Sequence, residues 1–175
     1  MEGNQAVLLV VCRECQREVS QIARKCPFCR APNPARADWQ GTGREWKSSP
    51  TIWGYPLIHI AYGRNAQGKL RVAKGVIAIG QFAIGLIVIA QFGVGFLFGF
   101  GQFILGLSAL AQAAITPTIG VGQLATGYIA LGQIALGYYA LGYYALGAYS
   151  WGVNHRDIEA LMFFARFLPF VRSTE

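Results

Sequence analysis

The sequence predicts a mainly β protein in three parts: a small N-terminal cysteine unit, a long glycine-repeat β domain and a C-terminal helix. Three observations carry this. Four cysteines, Cys12, Cys15, Cys26 and Cys29, form two C-x-x-C pairs near the start of the chain. From Gly75 to Asn154 there is no Asp, Glu, Lys or Arg. Through that uncharged block runs a five-residue repeat, clearest in Ile129-Ala130-Leu131-Gly132-Gln133, Ile134-Ala135-Leu136-Gly137-Tyr138 and Tyr139-Ala140-Leu141-Gly142-Tyr143. The competing reading of so apolar a block is a bundle of transmembrane helices.

The charge is uneven. The chain carries a formal net charge of +7, and all of the excess lies before Gly75. Basic residues beside an apolar block favour the cytoplasmic side of a membrane, because Lys and Arg resist translocation and are drawn to anionic lipid. The apolar run Ala6 to Val11 is too short for a secretory leader and follows an acidic start. The expected location is therefore a membrane, with the N-terminal unit in the cytoplasm.

Residues 7–30 form the first unit. Ten residues separate its two C-x-x-C pairs. Two such turns bring four thiolates to one tetrahedral centre, which suits a single structural Zn²⁺, with rubredoxin-like iron as the alternative. This clustered spacing is that of a metal site in a reducing compartment rather than of a disulfide framework. Arg13, Arg17, Arg24, Lys25 and Arg30 are expected to lower the thiol pKa values and offset the charge of the site. The four ligand positions resemble the short zinc-ribbon family over residues 12–29. Four thiolates fill the coordination sphere, so the expected role is structural, and a module this small needs its metal to fold. The ribbon would then offer its surface to a protein partner. Nucleic acid is a weaker expectation, since Phe28, Trp39 and Trp46 are few aromatics among the basic residues.

Residues 31–50, rich in Pro, Gly, Ser and charge, read as a linker. The glycine-repeat β domain covers 51–154. It opens with two strands, 58–62 and 69–73, around a turn at 63–68.

The pentad excludes a helical seam. Five residues advance about 140° around an α-helix, so successive glycines would scatter, whereas small-residue packing of membrane helices needs a spacing of four. A single straight strand fails because an odd period swaps faces at every unit. Two β arrangements remain: a square solenoid with one pentad per side, or an array of hairpin petals forming a barrel. A longer period supports both. Gln81, Gln102 and Gln123 are 21 apart, as are Gln91, Gln112 and Gln133, and the two series interleave at ten or eleven residues. In the solenoid these amides would stack as ladders. The pentad resembles the pentapeptide-repeat β-helix family. Over residues 52–152 it also resembles uncharacterised bacterial glycine-repeat proteins of the β-flower type. Taking Ala130 as inward makes Leu131, Gln133 and Ile134 outward, an inside-out pattern suited to lipid or to side-by-side packing in a homo-oligomer.

Residues 155–175 hold an amphipathic helix and tail, with the helix at 157–168. Asn154 or Asp157 caps its start and Pro169 ends it. It reads as an interfacial anchor, with Arg156, Arg166 and Arg172 at headgroups, or as an end cap on the repeat. Phe163, Phe164 and Phe167, with the belt of Tyr138, Tyr139, Tyr143 and Tyr144, are the candidate membrane or partner surface.

No catalytic constellation stands out. His59 and His155 are isolated, the repeat block has no carboxylate for acid–base work, and Gly93-Val94-Gly95 lacks the spacing of a nucleotide fingerprint. The expected function is a non-enzymatic membrane scaffold or recruitment protein. The alternatives are a small helical channel or transporter accessory, and a soluble self-assembling repeat protein that binds nucleic acid.

Overall fold

The computed structural model describes residues 8–168. Val7, Ala6, Pro169 and Arg172, invoked above, lie outside the described residues. The chain divides into two units, one comprising residues up to Arg44 together with Gly63–Arg71, the other comprising Glu45–Tyr62 and residues from Val72 onward.

In the first unit β1 (Leu9–Val11) pairs antiparallel with β2 (Glu18–Ser20), with Val10 opposite Val19. The core is Cys12, Val19, Cys26 and Ala31, with Val10 and Cys15 packed against it. Ala31 is buried, and the carbonyl of Pro34 accepts from the Arg13 amide at 3.1 Å. The start of the expected linker is thus part of this unit. Its later part holds β3 (Thr42–Lys47), every residue of which is exposed. An exposed strand shows no burial period, which is why it read as linker. The Gly63–Arg71 turn has its own closure. The Asn65 carboxamide oxygen accepts from the amides of Gln67 and Lys69 at 3.1 and 2.9 Å.

In the second unit β4 (Thr51–Ile52) and β5 (Tyr55–Pro56) form a hairpin. Then follow β6 (Ile58–Arg64), β7 (Val72–Ile115), β8 (Ile119–Leu146) and β9 (Tyr149–Trp151). The sheet order is β3-β6-β7-β8-β9, and β6 pairs parallel with β7, β7 with β8 and β8 with β9. Among the described residues no barrel closes and successive turns pair parallel, which removes the hairpin-petal alternative. Among the described residues no helix is long and apolar enough to cross a membrane, which removes the helical bundle. The pentad spacing is the reason, since it cannot keep small residues on one helical seam.

β7 and β8 are too long to be straight strands. They wind back on themselves, and the register gives the length of each turn. Ser108 pairs with Ile119, eleven residues on, and Tyr139 with Tyr149, ten on. Ile58 pairs with Ile77; the offset is 19, and removing the nine residues 63–71 leaves ten. One turn is therefore two pentads, not the four expected of a square coil. The 21-residue repeat is two turns, one of ten residues and one of eleven.

The inward position is the small residue. Ala73, Ala78, Ala83, Ala109, Ala114, Ala125, Ala130, Ala135, Ala140 and Ala145 are buried, with Ser150 ending the series. Each turn contributes two of them, one from each side of a thin winding. Val88 and Ile104 are larger and fully buried. Glycines make the room, since a Cβ on Gly93 would meet Val88 and one on Gly99 would meet Ile104. Two residues after most inward positions lies a glycine of a second kind. A Cβ on Gly132 would strike the carbonyl oxygen of Gly122 in the previous turn, and one on Gly142 that of Gly132. The recurring glycine is therefore the price of close backbone contact between turns.

Both ends of the winding are tied by side chains that imitate a strand. The His59 Nδ1 accepts the Lys74 amide at 2.7 Å. At the other end the Asn154 carboxamide accepts from the Ala145 amide at 3.0 Å and donates to the Ala145 carbonyl at 2.7 Å. Helix α1 (Ile158–Ala165) follows and packs on β8 and β9. Asp157 caps it, accepting from the Glu159 amide at 2.9 Å. Ala160 and Phe164 are its buried residues, and Phe163 stacks on Tyr139 with ring centroids 4.0 Å apart.

Candidate metal centre

The two C-x-x-C segments fold as the same turn used twice. In the first, the Cys12 amide donates to the Arg17 carbonyl and the Gln16 amide to the Cys12 carbonyl, both at 2.9 Å. In the second, Cys26 donates to Ala31 and Arg30 to Cys26, again at 2.9 Å. The residue after each second cysteine takes a left-handed backbone, with φ of 58° at Gln16 and 63° at Arg30. This reversal aims backbone N–H groups back at the sulfurs.

The four Sγ atoms lie within 4.8 Å of one another. Cys12 and Cys29 are 3.8 Å apart, and Cys15 and Cys26 are 3.6 Å apart. A tetrahedral ion with Zn–S bonds of ~2.3 Å has an S···S edge of ~3.8 Å. These two pairs are at ligand spacing, and the four thiols together could hold a metal ion. The site is zinc-ribbon-like.

Its electrostatics come from backbone amides, burial and the thiols themselves. The amides of Cys15 and Glu14 lower the Cys12 thiol. Burial raises Cys26, but the amides of Cys29 and Phe28 and the neighbouring thiols outweigh it and bring the group down to about 6. At Cys29 the Ala31 amide pulls downward. Burial and the other three thiols overcome it and push the group up to about 12. Such a cluster shares its protons as a unit, and a cation is what lets all four ionise together.

Of the five basic residues expected to lower the thiol pKa values, Arg13 and Arg17 have contacts of their own. None is among the causes of these shifts. Arg13 instead ties its unit together. Its guanidinium donates to the carbonyls of Trp39 at 3.3 Å, Pro32 at 3.4 Å and Ala66, and lies 3.4 Å from Glu14. Arg17 covers the Phe28 ring at 4.8 Å. Nothing in the sequence marked Arg13 for this role, because its partners are main-chain carbonyls far along the chain.

The candidate surface aromatics separate into two groups. Tyr138, Tyr143, Tyr144 and Phe167 are exposed. Phe164 is 2 % exposed and belongs to the cap, not to a surface. Tyr139 and Phe163 are stacked on each other between these groups. His59 is buried at the first turn, with Nε2 3.3 Å from the Glu45 carboxylate.

In comparisons with known proteins, no family model, curated protein or solved structure matches this chain.

Proposed function

We propose that this protein is a non-enzymatic membrane scaffold: a lipid-embedded glycine-repeat β-solenoid that carries a cytoplasmic zinc ribbon for a protein partner. The observation that carries the reading is the inverted distribution of apolar side chains. The winding buries alanines and turns Ile89, Phe96, Phe100, Leu107 and Ile134 outward, each more than a third exposed. Soluble monomers rarely leave apolar patches larger than a few hundred Å² uncovered. At about 0.8 kcal/mol per buried CH₂ a column of alanines stabilises little, so most of the apolar stabilisation must come from whatever covers the outside.

Lipid fits this outer face. Inside a bilayer every backbone N–H and C=O needs a partner within the protein. In a winding each turn supplies the next, and only the end turns have open edges. The inward pairs from Ala73/Ala78 to Ala145/Ser150 define eight turns. Seven steps of ~4.8 Å make ~34 Å, against ~30 Å for the hydrocarbon core. Lys74 stands at one end of that length and His155 and Arg156 at the other. The exposed Trp53 and Tyr55 of the β4–β5 hairpin, and Tyr143 and Tyr144, suit the interfaces.

Thiolate donors favour zinc over harder divalent ions, and reduced cysteines with basic neighbours favour the cytoplasmic side. Leu8, Leu9, Val11, Ile22 and Phe28 are exposed on the ribbon unit and would supply the partner contact. Extraction of membranes at alkaline pH tests the core of the proposal. Retention in the pellet until detergent is added is expected. Release into the supernatant as a defined oligomer would favour the soluble self-assembling alternative.

A further inference from the structure

The shorter turn length merges the two glutamine series into one. Gln81, Gln91, Gln102, Gln112, Gln123 and Gln133 follow one another at steps of ten and eleven. Those are the steps that relate paired residues from turn to turn. They therefore form a single column up one corner of the winding. All but Gln81 are exposed. The next column is apolar: Phe82, Phe92, Phe103, Ala113, Leu124 and Ile134. Phe82 and Phe92 stack at 5.5 Å, Phe92 and Phe103 lie 6.3 Å apart, and Ala113 pairs with Leu124, all from one turn to the next. Ala113 is a notch in it, and a groove of about 510 Å³ opens there, lined by Gln102, Gln112, Gln123 and Gln133 with Phe92 and Phe103.

We infer that this column is a self-association surface, and that its occupant is the glutamine column of a second copy of this chain. The inference rests on the membrane reading. Stacking along the column uses one N–H and the carbonyl of each carboxamide, and in lipid the second N–H of Gln91, Gln102, Gln112, Gln123 and Gln133 needs a further acceptor that acyl chains do not offer. Each carboxamide offers two donors and an acceptor, so the column is complementary to itself and needs no other chemistry. The opposite corner holds Val76, Leu86, Phe96 and Leu107, which have no such requirement. Copies would therefore assemble with their glutamines toward a common axis and their apolar faces toward lipid. The Ala113 notch lets the facing carboxamides approach.

Zinc-loaded, full-length protein in its membranes supplies the test. Gln112→Cys is expected to give a disulfide-linked dimer on mild oxidation, and Leu105→Cys, on an apolar face, is not; unsubstituted protein gives the background from the ribbon thiols. In detergent, Gln102→Leu/Gln112→Leu/Gln123→Leu is expected to shift the population toward monomer by about tenfold or more, with its β circular dichroism unchanged. If the protein resists carbonate but Gln112→Cys stays monomeric and reacts freely with a water-soluble maleimide, the column faces water and the inference falls, leaving the membrane reading intact. Crosslinking at Leu105→Cys as strong as at Gln112→Cys has the same consequence. If carbonate releases the protein, the membrane reading falls and takes the reason for the pairing with it. A triple variant that loses its β signal is replaced by Gln112→Leu alone, read by the same shift in oligomer size.

Discussion

At the scale of single residues the account rests on a few side chains with defined jobs. Replacing Cys26 by Ser removes one of four thiolates from a site with no spare ligand. Loss of the bound metal and unfolding of the ribbon unit are expected, measured by metal content and by the ribbon's amide resonances. Acid should act the same way. The backbone amides favour the Cys26 thiolate down to about pH 6. The benefit of ionising this thiol is present at higher pH and is lost as the pH falls through that value. Metal retention at neutral pH and release on acidification is expected in an acid titration followed with a chromogenic chelator, because protons compete with the metal for all four thiolates. The four-cysteine cluster was legible in the sequence, since C-x-x-C spacing encodes the turn as well as the donor. The source of its electrostatics was not. Sequence shows Arg and Lys but not where the peptide N–H groups point.

The repeat element shows why glycine recurs. Gly132→Ala places a methyl group against the Gly122 carbonyl, between two main chains that cannot separate without breaking the ladder. A loss of about 2 kcal/mol or more is expected in denaturant unfolding, beyond the usual effect of a surface substitution. Ile104→Ala empties a place where the core holds a large side chain beside glycines, and about 2–5 kcal/mol is expected from the cavity. Asp157→Ala removes the α1 cap at a cost of about 1 kcal/mol. The β class was readable from the pentad; the inward face was not, since small residues inward and bulky residues inward both fit the repeat until the burial of the alanines decides between them. The turn length was not, because 21 residues fit four sides of one coil or two sides of two coils equally well. Only pairings such as Ser108 with Ile119 decide between them. The interleaving of the glutamines at ten and eleven was the signal that pointed the right way.

For the whole molecule the central claim is that a thin alanine-cored winding is stabilised from outside. A core this small leaves large side chains nowhere to go but outward, and their number makes the surroundings part of the fold. Spin-label accessibility at Leu107→Cys, on an outward column in the middle of the winding and 41 % exposed, tests this most directly. The label is placed on zinc-loaded protein reconstituted into bilayers, with unsubstituted protein as reference. Frequent collision with oxygen and protection from a water-soluble nickel chelate is predicted. Ready collision with the chelate, at a level matching a label in solution, would contradict the account.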